Sequence, residues 1–305
     1  MIEKIATRLR FFVAEALGAR IRGLGAVSPM SLNDIVVYVD SAEATEARVD
    51  FAVALAKDHG AHLRGIAFAP TALLPLYGAD VGLADMSEVL EGVKAQGEAA
   101  LHAFKVRAEA AGVSVEGRLM QGMSEEFPRD FACAARHVDL AIIGQPRNGD
   151  PLLGQYALVE RCLFASGRPV IIVPAAPEKI AVTGTVVAAW DGSAEAARAF
   201  NDALTFLKRP SRVVLLVGVA GEGGEPPEVD DMMAHLKRRG VAAEVVRFST
   251  GEGDIGKTIL AKAKELQADM IVMGAFHHSR WREFILGGVT LTMLEEATIP
   301  LLMAH

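Results

Sequence analysis

The chain has 305 residues, 51% of them hydrophobic, 23% charged and only 6% aromatic, with a net charge of −7. That length and apolar content suit about two ordinary domains with packed cores. The sequence shows no basic stripe of the kind a nucleic-acid reader carries, and no uninterrupted apolar run reaches the ~18 residues of a membrane span.

In chain order, residues 1–30 come first and carry Lys4, Arg8, Arg10, Arg20 and Arg22 among Ile, Leu, Phe and Val. Charges break the apolar stretch, so it does not read as a signal peptide. An N-terminal extension is expected, either disordered or an amphipathic helix. From residue 35 the chain reads IVVYVDSAEATEARVDFAVALA: an apolar run, Asp40, small residues, then an Ala-rich helical pattern. A loop and a long helical stretch follow, then GVSVEGRLMQG from Gly112, VDLAIIGQP at 138–146 and GRPVIIVP at 167–174.

The same series then recurs. Residues 186–207 read VVAAWDGSAEAARAFNDALTFL, so Asp191 matches Asp40. GVAAEVVRFSTG, ADMIVMGAF and TIPLLMA follow in the same order. The second copy is about 20 residues shorter between its first helix and third strand. The expected organisation is an extension (1–30), a first domain (31–175), a linker (176–183) and a second domain (184–305). Strands of the second copy are expected at 184–190, 212–219, 243–249, 269–274 and 299–304.

Each copy reads as β–α–β–α–β–α–β–α–β, which predicts a parallel sheet with right-handed crossovers. The fold class is therefore α/β, with two doubly wound, Rossmann-like domains in tandem. Ligands on such sheets bind beyond the carboxyl ends of the strands, where the strand order reverses. Those ends fall at Asp40 and Gly144 in the first copy and at Asp191 and Gly274 in the second. Cys133 and Cys162 form neither a disulfide framework nor a metal-ligand spacing. They read as buried thiols of a protein in the reducing cytoplasm.

The most informative segment is GAFHHSRWREFILGGVT, from Gly274 to Thr290. A strand ends at Gly274, a polar and basic loop containing His277 follows, and Gly287, Gly288, Val289 and Thr290 open a helix. Glycines at a helix start let backbone N–H groups approach a ligand closely. The positive end of the helix favours an anion there. Thr290 can bond a phosphate oxygen or cap the helix.

A strand-end Asp, a late Gly-x2-Gly-x9-Gly-[Ser/Thr] loop and a Pro-led final strand resemble the domain of the universal stress protein family. The resemblance covers residues 31–305, twice over. It implies an adenine-nucleotide-binding regulatory protein of the stress response, taking ATP or AMP, with Mg²⁺ accompanying ATP. Asp191 then matches the adenine-side Asp, Gly274 the first loop glycine and Gly287 the last. The second copy departs from the motif where His277 replaces the middle glycine and Gly288 replaces the Ser/Thr. In the first copy Arg147 and Ala157 replace loop glycines, so that copy is expected to be structural or partner-binding. The family also implies that the final strands, VIIVP and LLMA, pair the two domains. A homodimer of chains is expected as well, to cover the sheet edges left open.

Residues 251–258, GEGDIGKT, offer a rival reading. They match G-x-x-x-x-G-K-[ST] between a strand and a helix. A phosphate-binding loop there would use Lys257 and Thr258 and make the protein an ATPase. Glu252 and Asp254 place two carboxylates in that loop, against the electrostatics of a phosphate cradle. Their alternative is an ordinary helix start capped by Asp254 or Thr250. The third alternative is a partner-binding stress protein without ligand. No catalytic residue and no metal ligand can be assigned from spacing, so any ATP hydrolysis is expected to be slow.

Overall fold

The computed structural model describes residues 32–42, 44–72, 83–146, 155–178, 184–207, 212–219, 228–251, 253–275 and 288–305. The extension expected at 1–30 lies outside the described residues. The first half runs β1 (Asp34–Tyr38), α1 (Ala44–His59), β2 (His62–Pro70), α2 (Leu83–Ala110), β3 (Val115–Gly122), α3 (Phe127–Ala135), β4 (Leu140–Gly144), α4 (Gln155–Ala165) and β5 (Val170–Val173). The second half repeats it: β6 (Thr185–Trp190), α5 (Ala194–Leu207), β7 (Arg212–Val219), α6 (Val229–Arg238), β8 (Ala243–Ser249), α7 (Ile255–Glu265), β9 (Ala268–Gly274), α8 (Gly288–Glu296) and β10 (Leu301–Ala304).

The alternation expected from the sequence is thus present in both halves. The last strand begins later than the apolar pattern suggests, because Pro300 has no N–H to donate to a ladder. Its carbonyl still accepts from the Ile271 N–H at 3.0 Å.

All ten strands form one sheet in the order β3-β2-β1-β4-β5-β10-β9-β6-β7-β8. Within each half the strands run parallel, and β1 and β6 lie at the two points where the strand order reverses. The halves join through an antiparallel pair, with Leu301 opposite Ile172, Leu302 opposite Ile171 and Met303 opposite Val170. Every residue of β5 and β10 is buried. Strands covered on both faces must be apolar at every position, which is what VIIV and LLMA supply.

One apolar core runs across the join. Phe127, Phe131 and Leu158 of the first half share it with Ile271, Met293 and Leu294 of the second. Polar contacts cross there too. Gln145 Nε2 donates to the carbonyls of Glu295 and Ala297, both at 3.2 Å, near the end of α8. Tyr156 donates to Glu295 Oε1 at 2.9 Å. Arg198 donates to the Gly167 carbonyl at 3.0 Å. The edges of β5 and β10 are therefore consumed within the chain, leaving β3 and β8 as the outer strands.

Candidate functional site

In the second half, β6 ends at Trp190 and the chain turns at Asp191. Asp191 Oδ1 accepts the Ser193 N–H at 2.9 Å, and Gly192 between them has a φ of 79°. That left-handed backbone suits glycine. Ser193 then caps α5, its Oγ accepting the Ala196 N–H at 3.0 Å. Asp191 is exposed at the carboxyl edge of the sheet. Its Oδ2 has no partner among the described residues. The preceding Trp190 is 5% exposed and meets Phe200 edge-on, at 5.5 Å between ring centres. Its indole N–H has no hydrogen-bond partner among the described residues.

Gly274 ends β9, beside β6 at the point of strand reversal. A Cβ there would lie 2.5 Å from the Ala196 nitrogen and 2.7 Å from the Glu195 carbonyl carbon. Glycine is required because the strand end presses on the first turn of α5. The same contact brings the Asp191 turn and the β9 end together. The chain then leads to α8, whose N-terminus lies at the carboxyl edge because β9 and β10 run parallel.

Gly288 is exposed, with open space where a Cβ would stand. Val289 packs its side chain against the core. Thr290 is the third residue of α8 and is 4% exposed. The described part of α8 starts two residues before Thr290, whose side chain is buried. What these three positions offer at the helix start is backbone N–H. His277 and Gly287 lie outside the described residues.

The first half has the same turn with a different filling. Asp40 Oδ1 accepts the Ala42 N–H at 3.0 Å, as Asp191 does from Ser193. Here, though, Asp40 Oδ2 pairs with Arg48 Nη2 at 2.9 Å. The same nitrogen donates to Thr45 Oγ1 at 2.8 Å, and Thr45 in turn donates to Asp40 Oδ1. The guanidinium carbon lies 5.2 Å from the centre of the Tyr38 ring, within cation–π range. Arg48 Nη1 sits against Gly144, where a Cβ would collide with it. Arg48 is 4% exposed. The repeat alignment places Ala199 at the corresponding position of the second half. Sequence reasoning missed Arg48. The available signal was a single arginine on the strand-facing side of an Ala-rich helix, eight residues after the strand-end Asp.

The GEGDIGKT segment is a capped helix start. Asp254 is the N-cap of α7, its Oδ1 accepting the Lys257 N–H at 3.2 Å. Its Oδ2 accepts from Thr292 Oγ1 of α8 at 2.8 Å. The Thr292 hydrogen bond, aided by the backbone N–H groups, holds the Asp254 carboxyl below its ordinary pKa. Lys257 Nζ lies 3.2 Å from Glu296 Oε1, and Thr258 donates to the Asp254 carbonyl at 3.1 Å. A carboxylate thus already occupies the helix end that a phosphate would need.

Among the described residues no group of three or more His, Cys, Asp or Glu could hold a metal ion. No helix among them is long and apolar enough to cross a membrane.

Residues 183–305 match the universal stress protein family. Solved structures extend the likeness of fold to the rest of the chain. A universal stress protein from Archaeoglobus fulgidus DSM 4304 superposes with a TM-score of 0.68 at 18% identity, covering 89% of this chain and 96% of its own. A protein of unknown function from Pseudomonas aeruginosa PAO1 gives 0.53 at 14% identity, covering 90% and 93%. No curated protein matches the chain. The second half therefore carries a universal stress protein domain, and the tandem Rossmann-like fold is shared with solved proteins along nearly their whole length.

Proposed function

We propose that the chain is a tandem universal stress protein that binds an adenine nucleotide, ATP or AMP, in its second half and acts as a regulator. The observation that carries this reading is the arrangement at the β6/β9 strand reversal. Asp191 presents an acceptor oxygen, and the next helix, α8, begins with the exposed and unobstructed Gly288. A carboxylate at that place can accept a hydrogen bond from an adenine amino group. Backbone N–H groups at a helix start can hold phosphate oxygens. Mg²⁺ would enter with ATP on the phosphates. His277 would stand beside them in the position of the family's middle glycine, and Gly287 at the last.

The ATPase reading through residues 251–258 is disfavoured by the Asp254 cap and the Lys257–Glu296 pair. The expected homodimer would have to use the outer strands β3 and β8.

Calorimetric titration of the full chain with ATP and with AMP tests the reading. One nucleotide per chain is expected, with binding lost in Gly288→Val and kept in Lys257→Ala. No binding up to millimolar concentration would remove the nucleotide and leave a partner-binding stress protein.

A further inference from the structure

The first half holds a cluster of groups that suits a planar cation, and the chain itself fills it, with Arg48 Nε left buried and without a partner among the described residues. Asp40 supplies a carboxylate at 2.9 Å, Thr45 a hydroxyl at 2.8 Å and Tyr38 an aromatic face at 5.2 Å, while Gly144 leaves room by having no side chain. These are groups that suit a guanidinium: an anion and a neutral acceptor, both on Nη2, and a ring for its face. They come from three separate elements: β1 with its following turn, the first turns of α1, and the end of β4.

We propose that the guanidinium of Arg48 is an internal ligand of the first-half strand-end crevice, and that it closes this crevice to any ligand from solution. The second half lacks the device, because Ala199 stands where Arg48 would and Asp191 keeps an oxygen without a partner among the described residues. The difference in occupancy between the halves is then set by one side chain near the Asp, as well as by the loop after β4. This last point rests on the nucleotide reading of the second half; the internal-ligand claim does not.

A cleft borders part of this site. A cleft of about 350 Å³ lies between α1 and α2, and its lining includes Asp40, Thr45, Val49, Phe104 and Arg107. Arg107 is already paired with Asp50 at 2.7 Å. Asp40 and Thr45, two of the groups that grip Arg48, line this cleft, whereas Arg48, Tyr38 and Gly144 do not, so entry of a small cation once the arginine side chain is removed is part of what the rescue experiment tests.

Chemical rescue tests the proposal. The full chain carrying Arg48→Ala is melted with and without methylguanidinium, beside the wild type and the double variant D40N/R48A. Tetramethylammonium, which has no N–H to donate, is the control cation. Arg48→Ala is expected to melt below the wild type and to regain much of that loss in methylguanidinium but not in tetramethylammonium. Wild type and the double variant should gain nothing, the first because its site is full and the second because its carboxylate is gone. Should Arg48→Ala fail to fold in buffer, its refolding yield with and without methylguanidinium carries the same test. An Arg48→Ala protein indifferent to methylguanidinium, or a wild type that responds equally, would overturn the proposal. A wild type that binds no nucleotide while Arg48→Ala is still rescued would sink the nucleotide reading and leave the internal ligand standing.

Discussion

The two halves build the same turn at the end of their first strand and then use it differently. In each, the Asp accepts the backbone N–H two residues on. In the first half that carboxylate is spent on a buried arginine of the following helix. In the second, an alanine replaces the arginine and the carboxylate faces the carboxyl edge of the sheet. The lesson is that a motif residue kept in both copies of a repeat need not keep its role. Asp40 has become the counter-ion of a core arginine, while Asp191 remains available at the surface.

The largest expected effect breaks the first-half arrangement. Arg48→Ala leaves Asp40 without its cation, and removing one partner of a buried pair costs about 3–5 kcal/mol. Because Asp40 is partly exposed, the lower end is expected in urea unfolding of the full chain. The reverse exchange, Ala199→Arg with Ala196→Thr, should give Asp191 the same partner and abolish nucleotide binding by calorimetry.

Next comes the pair of glycines in the second half. Gly274→Ala forces a methyl group onto the backbone of α5, which cannot move as a side-chain end could; overpacking of this kind costs about 1–3 kcal/mol. Gly288→Ala meets open space and should leave stability unchanged or raise it by up to about 1 kcal/mol, as Gly→Ala does inside helices. Thermal melts of the two variants separate the glycine needed for packing from the glycine free for a ligand.

A smaller contrast lies in the third helix of each half. Glu126 precedes α3 and makes no side-chain capping bond, whereas Asp254 caps α7. Asp254→Ala should lower the melting temperature of the full chain slightly. The Asp254 carboxyl is held below its ordinary pKa, so its contribution is present above the unfolded-state value and is lost as pH falls through the folded one. The gap between wild type and Asp254→Ala should therefore close in acid unfolding curves. Lys257→Ala should change nucleotide binding least of all.

The smallest effect concerns the two cysteines. Burial pushes the Cys162 thiol up to about 12, while Cys133 is only half-buried. At mild alkaline pH a thiol reagent should modify Cys133 alone in the native chain and both after denaturation.

Much of the fold was legible in the sequence. Asp40 and Asp191, with four aligned segments in the same order, gave the duplication and the strand ends. The uninterrupted apolar runs VIIV and LLMA marked strands buried on both faces. The site was less legible, because its decisive features are contacts between elements remote in sequence. Gly274 was read as a loop glycine of a phosphate motif, and the fold adds a steric reason for glycine there, the first turn of α5 packed against it. Thr290 was read as a cap or phosphate ligand, and the fold adds that it is the buried third residue of α8. Arg48 looked like any charged residue on a helix, and only the fold shows its guanidinium against Gly144. The cap of α7 was narrowed to Asp254 or Thr250, because that interaction is local, and the structure assigns it to Asp254.

The antiparallel join of β5 and β10 has a consequence for how such asymmetry can arise. Two identical chains meeting at their last strands would carry any substitution in duplicate, so an arginine that shut one crevice would shut both. Fused into one polypeptide, the crevices are encoded by separate codons while the shared sheet still holds them together. One copy can then fill its strand-end crevice with its own arginine, while the other leaves its strand-end carboxylate at the surface.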